Sequence, residues 1–509
     1  MKFMHKKLYI LLVLLIGTYL ILLQSHAAWP FVIDDVYIPL RYAKHWVSGN
    51  GLLWNIGEAP VEGYSSFSFL LLSSAAIALN LDPLFLLKVA GFLGLVFTAW
   101  AVYCLSRLFC SVWFAFIPCF WLLVYRDQIF WAVSGMETAV YQAFICFALF
   151  FLLRGIGYNL FPVKRTASKP LFLMFAGVLF AFTAFTRPEA PALALLLYAL
   201  ALWDHPSFSQ AYYRPLFTSG LVFAAVFLPY FLWRWHYFGR IFPNPIYCKG
   251  FSNEFNFVLD WSYLRFAWPF LLLAAVASYK SKDKRHYFFW LPTLLYLLLL
   301  WKAELVSAFF NRLFLATFAL ILPLSLQGLM SFLDRLIPER KEVYVFALYI
   351  ISGNIAFFFI PVMSLKAYRT YTLNPQQGIV LREQVADWLD RSVPAGSWVS
   401  LGDVGLISYR SNLNFLDSYC LNNKAMSAQQ DMYHWQCGEV IKIKPEVIIL
   451  QSAYDKSGPP YYTYAPTDAC IRKELKTHPE YHYKTSFEFC ESHVGCTRYK
   501  IYSKDWRAH

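Results

Sequence analysis

The sequence predicts a polytopic α-helical membrane protein that ends in a smaller, water-facing α/β domain. Three observations carry this reading. The 509 residues are 58% hydrophobic and 20% aromatic, with only 15% charged, whereas a soluble domain is about one quarter charged. Apolar runs recur as far as about Pro361 and then give way to mixed polar sequence. The formal charge of +13 is uneven: residues 1–362 hold 27 Lys/Arg against 16 Asp/Glu, and residues 363–509 hold 17 against 15. A basic membrane part fits cytoplasmic loops that obey the positive-inside rule. No soluble face interleaves basic and aromatic residues, which excludes a nucleic-acid binder. The chain therefore divides into a membrane domain (1–364) and a soluble domain (365–509).

The first segment, "MKFMHKKLYILLVLLIGTYLILLQSHAA", has the basic start and small-residue end of a signal peptide. Its apolar run, 8–23, exceeds the usual roughly 7–15 residues of such a peptide, and further spans follow, so a retained first helix is expected. Lys6 and Lys7, Arg107, "RGIGYNLFPVKRTASKP" (154–170), "DHPSFSQAYYR" (204–214), "KSKDKR" (280–285) and "DRLIPERKE" (334–342) mark the inside. Spans near 8–23, 84–106, 109–125, 137–153, 170–185, 190–203, 215–234, 262–279, 287–301, 312–330 and 344–362 satisfy them. These make eleven crossings and place the C-terminal domain outside. The apolar stretch 67–80, at fourteen residues, is short of the ~20 a span needs and reads as a re-entrant or interfacial helix.

The first outer loop (24–66) contains "FVIDDVYIPLRYAKHW". Val36, Leu40, Ala43 and Val47 recur at helical spacing, with Tyr37, Arg41, Lys44 and His45 on the other face. The pattern predicts a short helix in the interface plane with its charges at headgroup level. Asp34 and Asp35 just before it are explained in part by helix capping. Further acids fall at predicted outer ends: Glu58, Glu62, Glu137, Glu189 and Glu304. Arg187, His236, Arg240, Asn244 and Arg312 also fall in outer loops. Ionisable groups there are expensive unless paired or hydrated, so together they predict a polar cavity at the outer membrane surface.

"DDVYIPLRYAKHWVSGNGLLWNIGEAPVEGYSSF" resembles the first outer loop of GT-C glycosyltransferases that use polyprenyl-phosphate sugars. It is most similar to the mycobacterial terminal arabinofuranosyltransferase family that finishes cell-wall arabinan. The likeness continues through "SGMETAVY" (134–141), "TRPEA" (186–190), "FGRIFPNPIYCKG" (238–250), "NRLFLATFALILPL" (311–324), "SLGDVGLISYRSNLNFLDSY" (400–419) and "KPEVIIL" (444–450). Pro39 in "YIPLRYA" departs from the family's pattern. The resemblance implies transfer of a sugar, arabinofuranose or another pentose or hexose, from a polyprenyl phosphate to an envelope glycan at the periplasmic face of a bacterial cytoplasmic membrane.

Glycosyl transfer needs a base for the acceptor hydroxyl, or a carboxylate nucleophile if configuration is retained. The Asp pair of the first outer loop has this place in the resembling family. Asp34 is assigned the reactive role, and Asp35 holds the acceptor, an arginine or a metal. The leaving phosphate calls for cations, ideally a planar guanidinium; Arg41 comes first, then Arg187, Lys44 and Arg312. Glu62, Tyr64, Glu137, Glu189, His236, Asn244 and Asp403 are candidates for sugar or acceptor contacts. Trp54 is a stacking or belt aromatic. No phosphate-binding glycine motif for a nucleotide appears. No His/Cys/acid spacing defines a metal site, and a divalent cation, if used, falls at Asp34 and Asp35.

In the soluble part, "GIVLREQVADWLDRS" reads as an amphipathic helix, "SWVSLGDVG" and "EVIIL" as buried strands, and "GDVGLISYRS" as a turn beyond a strand end. Asp403 in that turn also fits a turn-stabilising role. Cys420, Cys437, Cys470, Cys490 and Cys496 suit an oxidising compartment. Their spacing suggests two disulfides and one free thiol, with Cys420–Cys437 and Cys470 with Cys490 or Cys496 as the pairs; reduced buried cysteines are the alternative reading. The competing functional classes are a transporter or flippase of lipid-linked sugars and a non-enzymatic assembly protein. The clustering of acids at outer ends and the absence of repeated halves favour the transferase over the flippase.

Overall fold

The computed structural model describes residues 2–163, 165–204, 210–249, 258–300, 305–337, 341–454, 461–491 and 495–505. Glu304 lies outside them. The chain folds as two compact units. The first comprises 1–29, 87–233 and 250–369; the second comprises 30–86, 234–249 and 370–509.

The first unit is helical. Helices stand at ten of the eleven expected segments, among them Pro83–Ser106, Thr138–Gly155, Pro170–Thr186, Gln210–Phe238, Leu315–Leu336 and Lys341–Phe359. Among the described residues, five helical stretches are long and apolar enough to cross a bilayer, and the protein is a multi-pass membrane protein. The exception is 109–125, where the only helix is Phe116–Leu123. Eight residues rise only about 12 Å against a hydrocarbon core of about 30 Å. The chain turns extended at Tyr125, and the next helix, Arg126–Val133, is equally short. Arg126 N donates there to Pro361 O (2.9 Å).

The second unit is α/β. Its six-stranded sheet is built from β1 (Trp398–Leu401), β2 (Asn414–Asp417), β3 (Val447–Tyr454), β4 (Thr463–Tyr464), β5 (His482–Glu491) and β6 (Gly495–Ser503). The order is β2-β1-β3-β6-β5, with β4 on the far part of β3. β1 pairs parallel with β2 and β3, and β6 runs antiparallel between β3 and β5. The helix Leu365–Ser392 lays Leu381, Val385 and Leu389 on this sheet. Residues of the first loop, including Ile38, Tyr42, Trp54 and Val61, and Leu70 of the helix after it are part of the same hydrophobic core. Each such fully buried side chain contributes roughly 1.5–3 kcal/mol. Phe67–Ala78, capped by Ser66 accepting from Phe69 N, belongs to this unit.

The helix Tyr37–Val47 is therefore not a surface helix. Tyr37, Arg41 and His45 from its expected polar face are buried, as are Leu40 and Ala43, because the C-terminal segment covers that face as well. The disulfides are Cys248–Cys420, Cys437–Cys470 and Cys490–Cys496. They replace both expected pairings, Cys420 with Cys437 and Cys470 with Cys490 or Cys496, because Cys248 takes Cys420 and Cys470 is left to Cys437. Cys248, distant in sequence, is brought beside Cys420 by the short helix Asn244–Lys249.

A buried acid in this unit has a pH signature. Asp468 accepts from Gln451 N (2.7 Å). Burial, only partly offset by the Gln451 N–H and the Ser418 hydroxyl, pushes its carboxyl up to about 7. The folded chain then holds a proton that the unfolded chain releases near pH 4, so stability falls as pH rises from about 4 to 7. The contribution is at most of order 4 kcal/mol. The melting temperature of the detergent-solubilised protein is expected to drop between pH 5 and pH 7.5. Asp468→Asn, neutral throughout, should flatten that drop.

Candidate active site

Asp34 and Asp35 lie in the single 3₁₀ turn Asp34–Val36 that leads into Tyr37–Val47. Asp34 is fastened. Its Oδ2 accepts from Gly405 N (2.8 Å) and its Oδ1 from Leu406 N (2.9 Å). Arg382 Nε stands 3.2 Å from Asp34 Oδ1 and 2.8 Å from Asp403 Oδ2, bridging the two acids. Tyr499 donates its hydroxyl to Asp403 as well. A side chain at position 405 would collide with the Asp34 carboxylate and carbonyl, so glycine is required for this approach.

Burial first, then the charge of Asp403, pushes Asp34 well above the usual carboxylate range. Burial would also raise Asp403, but Arg382 and the Tyr499 hydroxyl outweigh it and hold Asp403 below its ordinary value. Asp35 differs: its side chain is 42% exposed, and its cationic neighbour is Lys249, with Nζ 4.0 Å from Oδ2. Of the pair, Asp35 is the more exposed carboxylate and Asp34, to which the sequence reading gave the reactive role, the more enclosed.

Several expected binding residues have structural duties instead. Arg41, expected at a lipid phosphate, is 2% exposed. Its Nε donates to Trp54 O (2.8 Å), its Nη2 to Leu413 O (2.9 Å) and Asn55 Oδ1 (3.3 Å), and its Nη1 to Ser408 O and Ser411 O. All five N–H groups are engaged, and the guanidinium lies over the Trp54 and Phe415 rings. Burial draws it down to about 10. No donor is left for phosphate. Lys44 Nζ donates to Asn412 Oδ1 (3.0 Å). Trp54 is buried, donating to Phe415 O, and is open neither to a sugar nor to a membrane belt.

Glu62, expected at a sugar, is 4% exposed and is gripped by Arg234 through Nε (3.1 and 3.2 Å) and Nη2. Tyr64 is buried edge-on against Tyr42 and Phe238. Asn244 spends both ends of its amide: Nδ2 donates to Cys420 O (2.8 Å) and Leu421 O (2.9 Å), and Oδ1 accepts from Arg240 (2.6 Å) and Ser427 (2.8 Å). His236 is exposed in the last turn of Gln210–Phe238.

In the membrane unit the four remaining candidates meet. Glu137, 2% exposed, accepts from Arg187 Nη1 (2.9 Å) and Arg312 Nη2 (2.7 Å). Arg187 Nε also reaches Glu189 Oε1 (2.9 Å), and Arg312 Nε reaches Thr138 Oγ1 (3.2 Å). Two cations and two anions form a cluster of zero net charge. Among the described residues, the acid and cysteine ligands close enough for a metal are Glu488, Cys490 and Cys496, and the two cysteines form a disulfide.

Lys249, Arg382 and Tyr499 stood outside the sequence reading. Lys249 was legible only as the cation closing "NPIYCKG". Nothing local marks Arg382 or Tyr499.

Solved structures share this architecture. ArnT from Cupriavidus metallidurans bound to undecaprenyl phosphate matches at a TM-score of 0.57, with 11% identity over 97% of this chain and 98% of its own. Arabinofuranosyltransferase AftD from Mycobacteria matches at 0.54, with 13% identity over 98% of this chain and 42% of its own. The oligosaccharyltransferase AglB from Archaeoglobus fulgidus, in complex with an inhibitory peptide and a dolichol-phosphate, matches at 0.52, with 12% identity over 91% and 74%. These are GT-C glycosyltransferases, and this chain has the GT-C fold. Residues 368–502 match a family described as Domain of unknown function (DUF8728). No curated protein matches in sequence.

Proposed function

We propose that this chain is a membrane glycosyltransferase that moves one sugar from a polyprenyl-phosphate donor to a cell-envelope glycan at the periplasmic face of a bacterial cytoplasmic membrane. The observation that carries the reading is the division of labour in the first loop: a fastened Asp34 holds a half-exposed Asp35 beside Lys249. Asp35 takes the proton of the acceptor hydroxyl as its oxygen attacks the anomeric carbon. The bond from that carbon to the phosphate oxygen breaks, and the lipid phosphate leaves with the electron pair. Lys249 supplies positive charge for the departing phosphate. ArnT bound to undecaprenyl phosphate and AglB bound to dolichol-phosphate share the fold, which supports a lipid-linked donor; fold alone does not assign chemistry. The ion cluster of Glu137, Arg187, Glu189 and Arg312 is a second donor-binding candidate, within the membrane unit.

The test uses purified protein in liposomes with radiolabelled polyprenyl-phosphate pentose and hexose and an envelope glycan acceptor. Label on the glycan is the expected result. Label that crosses the bilayer still attached to lipid would replace the transferase by the flippase. The eleven crossings and the outer location of 365–509 belong to the same proposal. A C-terminal tag should be cut by protease added from the periplasmic side, and a protected tag would overturn the topology.

A further inference from the structure

The C-terminal segment matches a family of unknown function, yet it supplies the partners that hold the Asp34 carboxylate. Arg382 comes from the helix Leu365–Ser392, and Asp403, Gly405 and Leu406 come from the turn after β1. Tyr499 on β6 closes the chain by donating to Asp403. A sheet strand is thereby connected through Asp403 and Arg382 to the first loop, one residue from Asp35. Arg382 is the hub because its single Nε lies within reach of both carboxylates. Without it, two acids would face each other at close range with no cation between them.

We propose that the C-terminal domain is a positioning clamp for the catalytic loop, with Arg382 as its key and Asp403 and Tyr499 as its backing. Arg382 touches neither sugar nor phosphate; it acts by setting where Asp34, and so Asp35, stands. This inference rests on the glycosyltransferase reading for its kinetic consequence only. A misplacement of about 1 Å at a reacting group costs on the order of 10²-fold in rate.

The clamp is tested in the full-length protein with Arg382→Gln, Arg382→Lys and Asp403→Asn. Sugar transfer is measured together with hydrogen exchange of the amides of residues 31–37 and of the sheet. Arg382→Gln is expected to lower kcat about 10²-fold with KM little changed, to speed exchange in 31–37, and to leave β1, β3 and β6 protected. Arg382→Lys should restore part of the rate. The acid limb of the pH profile of Arg382→Gln should move to higher pH than in the wild type, since loss of the guanidinium that lowers both Asp34 and Asp403 raises the pair. Tyr37 and Tyr499, the other titratable groups facing Asp34, are neutral in that range.

Faster exchange with unchanged kcat would overturn the clamp, because the chemistry would not need the position. Loss of protection throughout the sheet would also overturn it, making Arg382 a folding residue. If the wild type transfers no sugar, the functional reading fails while the exchange of 31–37 still decides whether Arg382 holds the loop.

Discussion

Asp35→Asn is expected to lower sugar transfer by roughly 10²–10⁴-fold with normal protein levels in the membrane. That range is what a positioned general base contributes. The amide keeps the shape and polarity of the side chain but cannot accept the acceptor's proton at neutral pH. Because Asp35 is 42% exposed and its ion pair with Lys249 is long (4.0 Å), stability should change by less than about 1 kcal/mol. Asp34→Asn should behave in the opposite way. Its amide can accept from only one of the Gly405 and Leu406 N–H groups, and it turns an NH₂ towards the other. That leaves a buried donor unmet at about 1–3 kcal/mol, with a smaller loss of transfer that follows from displacement of the loop. Both variants are compared by initial rates with saturating donor and by thermal melting in detergent. A greater loss of rate in Asp34→Asn than in Asp35→Asn would exchange their roles. Full activity in both would remove the Asp pair from the chemistry.

The membrane helices were legible because hydropathy is a local, cumulative signal. Pro83–Ser106 and Pro170–Thr186 stand within a residue of where their apolar runs place them. The strands Trp398–Leu401 and Val447–Tyr454 were legible for a similar reason, being short apolar runs with flanking turn residues. The helix Phe67–Ala78 is likewise short, as its fourteen-residue apolar run suggested.

The partners of the first loop were not legible. The stripe of Tyr37–Val47 reads as amphipathic, yet Arg41 finds its acceptors more than 360 residues away at Ser408, Ser411 and Leu413. A guanidinium in a loop beside acids has the same sequence signature whether it awaits a phosphate or holds carbonyl oxygens. Asn244 shows the same ambiguity, and so does Cys248, whose partner lies 172 residues on. Sequence patterns show which groups are costly to leave unpaired; they do not show which distant segment pairs them.

The pair formed by Glu62 and Arg234 offers the largest stability effect. Both side chains are about 95% buried, and burial pushes the Glu62 carboxyl upward even against Arg234. Arg234 is held further by Ile241 O (2.5 Å), so it cannot swing into water when its partner is removed. Glu62→Leu would therefore strand a buried guanidinium, at about 3–5 kcal/mol. The expected result is a protein that is made but melts far lower, with reduced membrane accumulation. Replacing both residues, Glu62→Leu with Arg234→Met, removes the stranded charge and should recover most of the loss. A buried ion pair and an apolar pair of similar volume differ little in net stability. The cycle of wild type, two single variants and the double variant, followed by thermal melting in detergent, yields the coupling energy directly. Additive losses would show that the two residues act separately. A strong recovery would mean that Glu62 is there to neutralise Arg234 and that its sequence position beside Gly63 serves packing. Gly63 itself bears on this, because a Cβ at that position would strike Asn422 and Tyr42. The Glu62 backbone is thus pinned against the C-terminal segment on one side while its carboxylate is pinned by Arg234 on the other, which leaves no freedom to reach a sugar.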